Sequence, residues 1–165
     1  MKKLIILIAV AVLLLLAGCP SSSPATQEPF PWPEDKVNDT GIIPPKVKVS
    51  NFSPGATAKF PLTIHNGNDQ PAQFSLTFLA AGDVDADTGY VYIAAPQEAQ
   101  DWVIIADPAP VIAAKGTAYV LIALEMPEGA TAPAERWEFR VVVKDVTQTA
   151  MIQRELACRW LITMK

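Results

Sequence analysis

Histidine occurs once in the 165 residues, at His65, and cysteine twice, at Cys19 and Cys158. A single imidazole with no thiol near it in sequence argues against a zinc or copper site, whose ligand sets draw on several such side chains. A serine or cysteine triad would have to be built on His65 alone, and there is no Gly-x-Ser-x-Gly turn to present a nucleophile. Positive charge is scarce as well: 13 Lys and Arg against 17 Asp and Glu leave a net charge of −4. With no basic patch, nucleic acid is not an expected partner. Convincing amphipathic helices are absent too. The longest apolar run, Leu4 to Ala17, has fourteen residues, short of the roughly 20 that a membrane-spanning helix requires.

That run has a different meaning. It follows Met1-Lys2-Lys3 and ends in Leu16-Ala17-Gly18-Cys19, which gives the basic, apolar and small-residue regions of a secretory signal. The four closing residues resemble the lipobox of prokaryotic lipoproteins. The resemblance implies cleavage between Gly18 and Cys19, a covalent lipid with palmitate-type acyl chains on Cys19, and a membrane-anchored, extracytoplasmic location in the cell envelope. The alternative is an ordinary secretory signal with an incidental cysteine. Two or three acyl chains hold a bilayer stably where one does not. Cleavage removes Lys2 and Lys3, moving the net charge from −4 to −6, so no polybasic segment assists the lipid.

Residues 19–45 are rich in Pro, Ser and Thr, with seven prolines between Pro20 and Pro45. Such a composition favours an extended tether over a packed core. Phe30 and Trp32, set between prolines, are candidates for docking on a domain, for membrane contact or for a proline-rich recognition motif.

From residue 46 to 165 the texture is that of strands. Phe60, Leu62 and Ile64 alternate with Lys59, Thr63 and His65, and Asn66-Gly67-Asn68-Asp69 makes a turn. Phe74, Leu76 and Phe78 form the next apolar face. Residues 88–95 and 102–105 read as further short strands, with Pro108 and Pro110 excluding a helix after them. In Thr117 to Met126 both faces are apolar, which predicts a strand covered on both sides or one whose outer face meets a neighbour. Trp137 to Lys144 and Glu155 to Thr163 alternate most clearly of all. The connection 145–154 fits a hairpin turn or one helical turn. Seven to nine such strands predict an all-β, immunoglobulin-like antiparallel β-sandwich, with a small barrel as the alternative.

Pro54-Gly55, Phe60 to Asn66, Trp102-Val103, Ala114-Lys115-Gly116 and Val120 to Pro127 together resemble bacterial and archaeal immunoglobulin-like modules of the NPCBM-associated and fibronectin type III-like kind. Lipoproteins of the proteinase-inhibitor BsuPI class share the first corner only. The likeness covers residues 47–145 and implies a spacer, adhesion or subunit-docking role without catalytic residues.

One constellation has metal chemistry in it. Asp83, Asp85 and Asp87 alternate in an irregular stretch ending at Gly89, a pattern that can gather oxygens around Ca²⁺. An EF-hand loop starting at Asp83 would need Gly at Thr88 and Glu at Ala94, so the competing readings are a solvated acidic turn and protection of a sheet edge. Cys158, in phase with Leu156, Trp160 and Ile162, is expected in the core, and His65 on the polar face. No carboxylate pair stands out for hydrolysis, and the chain is not expected to be an enzyme. The leading expectation is a lipid-anchored interaction module for an envelope protein, using the outer side of Thr117 to Met126 through Tyr119 and Leu121. Calcium or glycan capture at Asp83 to Gly89, or a purely structural spacer, are the alternatives. Oligomeric state is not legible.

Overall fold

A computed structural model describes residues 28–147 and 155–165. The signal segment with Gly18 and Cys19, and most of the 145–154 connection, lie outside the described residues. The described chain is a two-sheet β-sandwich. The smaller sheet has the order β1-β3-β9-β7, made of β1 (Gly41–Ile43), β3 (Thr57–His65), β9 (Thr117–Glu125) and β7 (Val103–Ile105). The larger has the order β2-β11-β10-β4-β8, from β2 (Lys46–Phe52), β11 (Glu155–Met164), β10 (Arg136–Asp145), β4 (Ala72–Ala80) and β8 (Val111–Ile112). The start of β10 also pairs with β6 (Val91–Ala94), which forms a hairpin with β5 (Asp83–Val84).

The alternation visible in the sequence sets which side chains meet between the sheets. Leu62, Ile64, Val120, Ile122 and Leu124 from the smaller sheet face Phe74, Leu76, Trp137, Phe139, Val141, Cys158, Trp160 and Ile162 from the larger. Trp160 lies at the centre, stacked on Phe139 at 5.2 Å and edge-on to Phe60 at 5.5 Å. Each such fully buried large apolar side chain contributes about 1.5 to 3 kcal/mol, with aromatic geometry adding to that.

The lateral edges are built in one way on both sides. β1 pairs with β3 in the smaller sheet, and after Pro44-Pro45 the same chain pairs with β11 in the larger one as β2. On the opposite edge β7 pairs with β9, Ala106 still donates to the Leu121 carbonyl at 3.0 Å, and Pro108 and Pro110 then accept from Leu76 and Phe74 of β4 at 2.8 and 2.9 Å. Neither proline can return a hydrogen bond, and the intervening Ala109 N–H is taken by Asp107 Oδ1 at 3.2 Å. Each edge is thus one strand shared between two sheets. Counting each shared strand once brings the eleven strands to nine, the upper end of the expected number.

Two expectations of the sequence are corrected here. The sandwich is not wholly antiparallel, since β2 runs parallel to β11 and β6 parallel to β10. Nor is all of 19–45 a spacer. From Phe30 onward the chain lies on the outer face of the smaller sheet as a strap, with one short 3-10 turn at Glu34–Lys36, and then becomes β1. Pattern reading missed it because Gly41, Ile42 and Ile43 sit between prolines and polar residues with no period of their own.

Candidate interaction surface

The outer face of the smaller sheet can be assembled from its register. Residues opposite one another in antiparallel strands share a face, which gives the rows Gly41–His65–Thr117, Ile43–Thr63–Tyr119, Pro61–Leu121 and Lys59–Ala123–Ile104. Tyr119 is 55% exposed, Ile104 48% and Leu121 38%. They form an apolar strip across two strands, ended on one side by Lys59, which lies 3.8 Å from Glu125, and on the other by the strap. The doubly apolar strand read from the sequence is therefore β9, and of its outer side chains Tyr119 and Leu121 are uncovered while Ala123 is buried. Ile104 completes the strip and was missed, because a three-residue strand shows too little alternation to assign a face.

The strap is keyed into the sheet. Trp32 stacks on the His65 ring with centroids 4.8 Å apart and planes 11° from parallel, and its indole N–H donates to the Lys36 carbonyl at 2.9 Å. Thr63 Oγ1 donates to the Phe30 carbonyl at 2.7 Å. Two glycines make the room: a Cβ at Gly41 would run into the Trp32 ring, and one at Gly67 would meet the backbone of Asn38 and Asp39. His65, expected at the surface, is buried. Its Nε2 lies 2.8 Å from the Val37 carbonyl, which requires the proton on Nε2, and Nδ1 lies 2.9 Å from Thr117 Oγ1. The imidazole is the seat of the strap.

The acidic loop folds back onto the outer face of the larger sheet. Asp85 is fully buried, its two oxygens taking Lys46 Nζ at 2.7 Å and Lys48 Nζ at 2.9 Å, with Thr88 Oγ1 at 3.0 Å. Asp87 shares Lys46 at 2.7 Å, and Asp83 reaches Arg140 at 3.4 Å. Hydrogen bonds from Lys46 and Lys48 hold the Asp85 carboxyl well below the usual carboxylate range, and Asp85 and Asp87 in turn raise Lys46. Beneath the loop, fully buried Glu138 is clamped by Arg159 at 2.6 and 2.9 Å and by Arg140 at 2.9 Å. Asp83, Asp85 and Asp87, weighed in the sequence as a calcium cluster against an acidic turn, are engaged in ion pairs. The protein's own cations take the carboxylate oxygens, and among the described residues no group of three His, Cys, Asp or Glu gathers as a metal site. The basic partners come from β2, some 37 residues earlier, so loop composition alone gave no sign of them.

Cys158 is buried, as its phase implied, and burial pushes its thiol up to about 12. No helix among the described residues is long and apolar enough to cross a membrane.

No family model matches the chain, and no curated protein matches it. Solved structures do. The PapD-like domain 7 of human CEP192 is similar with a TM-score of 0.52 at 17% identity, over 87% of this chain and 96% of that one. The periplasmic chaperone SfaE gives 0.53 at 12% identity over 77% of this chain and 58% of its own. A chain of the CsuC–CsuE chaperone–tip adhesion subunit pre-assembly complex of Acinetobacter baumannii gives 0.50 at 12%, over 77% and 57%. This chain spans a little over half the length of the latter two. At such identities the likeness is one of fold, an immunoglobulin-like β-sandwich.

Proposed function

We propose that this chain is a non-catalytic, lipid-anchored envelope protein whose sandwich engages an extracytoplasmic protein partner through the outer face of the smaller sheet. The observation that carries the reading is the exposed strip of Tyr119, Leu121 and Ile104 on a sheet whose inner face is filled by core and whose edges are shared strands. An aromatic flanked by aliphatics and rimmed by a charged pair is the composition of an interface centre with a polar rim. The likeness to a chain of a chaperone–subunit complex supports protein binding as the use of this fold, and the Leu16 to Cys19 motif supports the anchor.

The test is a pull-down of the lipidated protein through a tag after Lys165, with Cys19→Ala and Tyr119→Asp/Leu121→Asp as comparisons. A stoichiometric companion should be lost with the double variant, whose affinity falls by about thirtyfold or more if either side chain contributes about 2 kcal/mol, while its melting temperature is nearly unchanged. Retention of the companion by the double variant would reject the face, and a companion held equally by the Cys19→Ala chain would reject any need for the anchor.

A further inference from the structure

The strap has a direction. Phe30 lies beside Thr63 and Trp32 beside His65, so from Phe30 to Trp32 the chain runs toward the end of β3, away from the end of the sandwich at Thr57. At that end of the sandwich β2 turns into β3, β10 begins and β11 finishes. The β5–β6 hairpin is there too, because β6 joins β10 at Trp137 and Glu138. Val84 and Val91 are cross-strand partners and Ile93 follows two residues on, so the three share one side of the hairpin. They are 49%, 65% and 45% exposed. Tyr90, beside them at the turn, has the Arg136 guanidinium 4.3 Å over its ring. Single exposed aliphatics are ordinary, whereas three on one side of a hairpin make a patch that an occupant would cover.

We propose that this end of the sandwich, led by Val84, Val91 and Ile93, rests in the interfacial layer of the bilayer that holds Cys19. The inference depends on the lipid-anchored reading above. Nine residue steps separate Cys19 from Glu28, which even fully extended reach about 32 Å, close to the roughly 30 Å length of a nine-residue strand. A domain on so short a lead stays within about its own length of the headgroups, and of its surfaces the end that carries this apolar trio is the one that gains by resting on them. Aliphatic side chains at interface depth, with a tyrosine and an arginine beside them, match the chemistry of that layer. The patch is too small to bind a membrane unaided, and the anchor supplies the effective concentration. The basic side chains beside the hairpin, Lys46, Lys48, Arg140 and Arg159, are paired with Asp85 and Glu138, so the contact is apolar and requires no anionic lipid. With the strands rising from the bilayer, the Tyr119 face looks sideways, open to a partner in the same membrane.

The experiment uses the lipidated protein in phosphatidylcholine nanodiscs, with an environment-sensitive label at Val91→Cys or, at the opposite end, at Gln70→Cys. Buried Cys158 stays unlabelled. Lipids carrying a shallow acyl-chain quencher should quench the label at 91 several-fold more than at 70. Adding Val84→Asp/Ile93→Asp should bring the label at 91 down to the level at 70, and adding anionic lipid should change neither. Equal quenching at 91 and 70, in discs where mass spectrometry finds lipid on Cys19, overturns the inference. If no lipid is found on Cys19, the anchored reading fails separately. The chain from residue 20, which lacks Cys19 and its free thiol, held by an N-terminal histidine tag on nickel-chelating lipid, then repeats the comparison: stronger quenching at 91 supports the hairpin contact, and equal quenching overturns it.

Discussion

Asp85 is withdrawn from solvent, and two lysines take the place of water around its charge. Its folded carboxyl titrates below the ordinary value near 4, so its ion pairs contribute fully above that value and are lost as pH falls through the lower folded one. Lys46 is shifted up from 10.5, so its contribution is full below that value and is lost as pH rises through the higher folded one. Melting temperatures should therefore be flat across neutral pH and fall toward both extremes. In Asp85→Asn the plateau should be lower and the fall on the acid side shallower. Cys158 yields a second expectation: with its thiol buried and pushed up to about 12, alkylation under native conditions should proceed only through global unfolding, so its rate should track denaturant with the equilibrium slope. Single positions were the least legible scale. His65 follows Lys59 and Thr63 on the outward phase of β3, and no neighbour in sequence announces that Trp32 will cover it. Leu161 and Glu138 likewise sit on the nominally outer face of the larger sheet and are buried by a loop and by partners remote in sequence.

Among the elements, the long strands were readable with their faces, the short ones within 88–95 and 102–105 were placed without a face, and Gly41–Ile43 and Val111–Ile112 were missed. Thr57–His65 was bounded correctly by alternation and its flanking turns, and Thr117–Glu125, Arg136–Asp145 and Glu155–Met164 to within a residue or two. Nine or ten residues give a period room to show. Gly41–Ile43, Val103–Ile105 and Val111–Ile112 are pieces of strands that change sheets, so their inward phase breaks where the chain crosses, and neither half is long enough to declare a face. The strap is an element of this kind, held by a ring, by hydrogen bonds to Thr63, His65 and Gly67, and by two glycines. Trp32→Ala should cost about 2 kcal/mol, the order expected for a half-buried aromatic. Gly41→Ala should cost a similar amount by forcing the indole off its seat. Because both act on one contact, the double variant should be little worse than either single one, a coupling that chemical denaturation of the four chains would measure.

At the scale of the molecule, the fold class was legible because it depends on the sum of many strands, while the use of its surfaces depends on which few residues are left uncovered. Tyr119 and Leu121 were read because β9 is long. The hairpin trio was hidden in a segment whose aspartates suggested a metal. The shared edges have a consequence for a protein tugged by one end. A pull between Glu28 and Lys165 first lifts the strap and β1, contact by contact, and frees the eighteen residues 28–45, about 60 Å of slack. The load then reaches β2, which lies parallel to β11 from Lys46 beside Arg159 to Phe52 beside Met164. Pulled from opposite ends, two parallel neighbours slide along each other, and every bond between them is strained together. In single-molecule stretching the chain should give about this slack at low force before one abrupt rupture, and Gly41→Ala should release the slack earlier while leaving the rupture force alone. The strap is a shock absorber in series with a shear clamp.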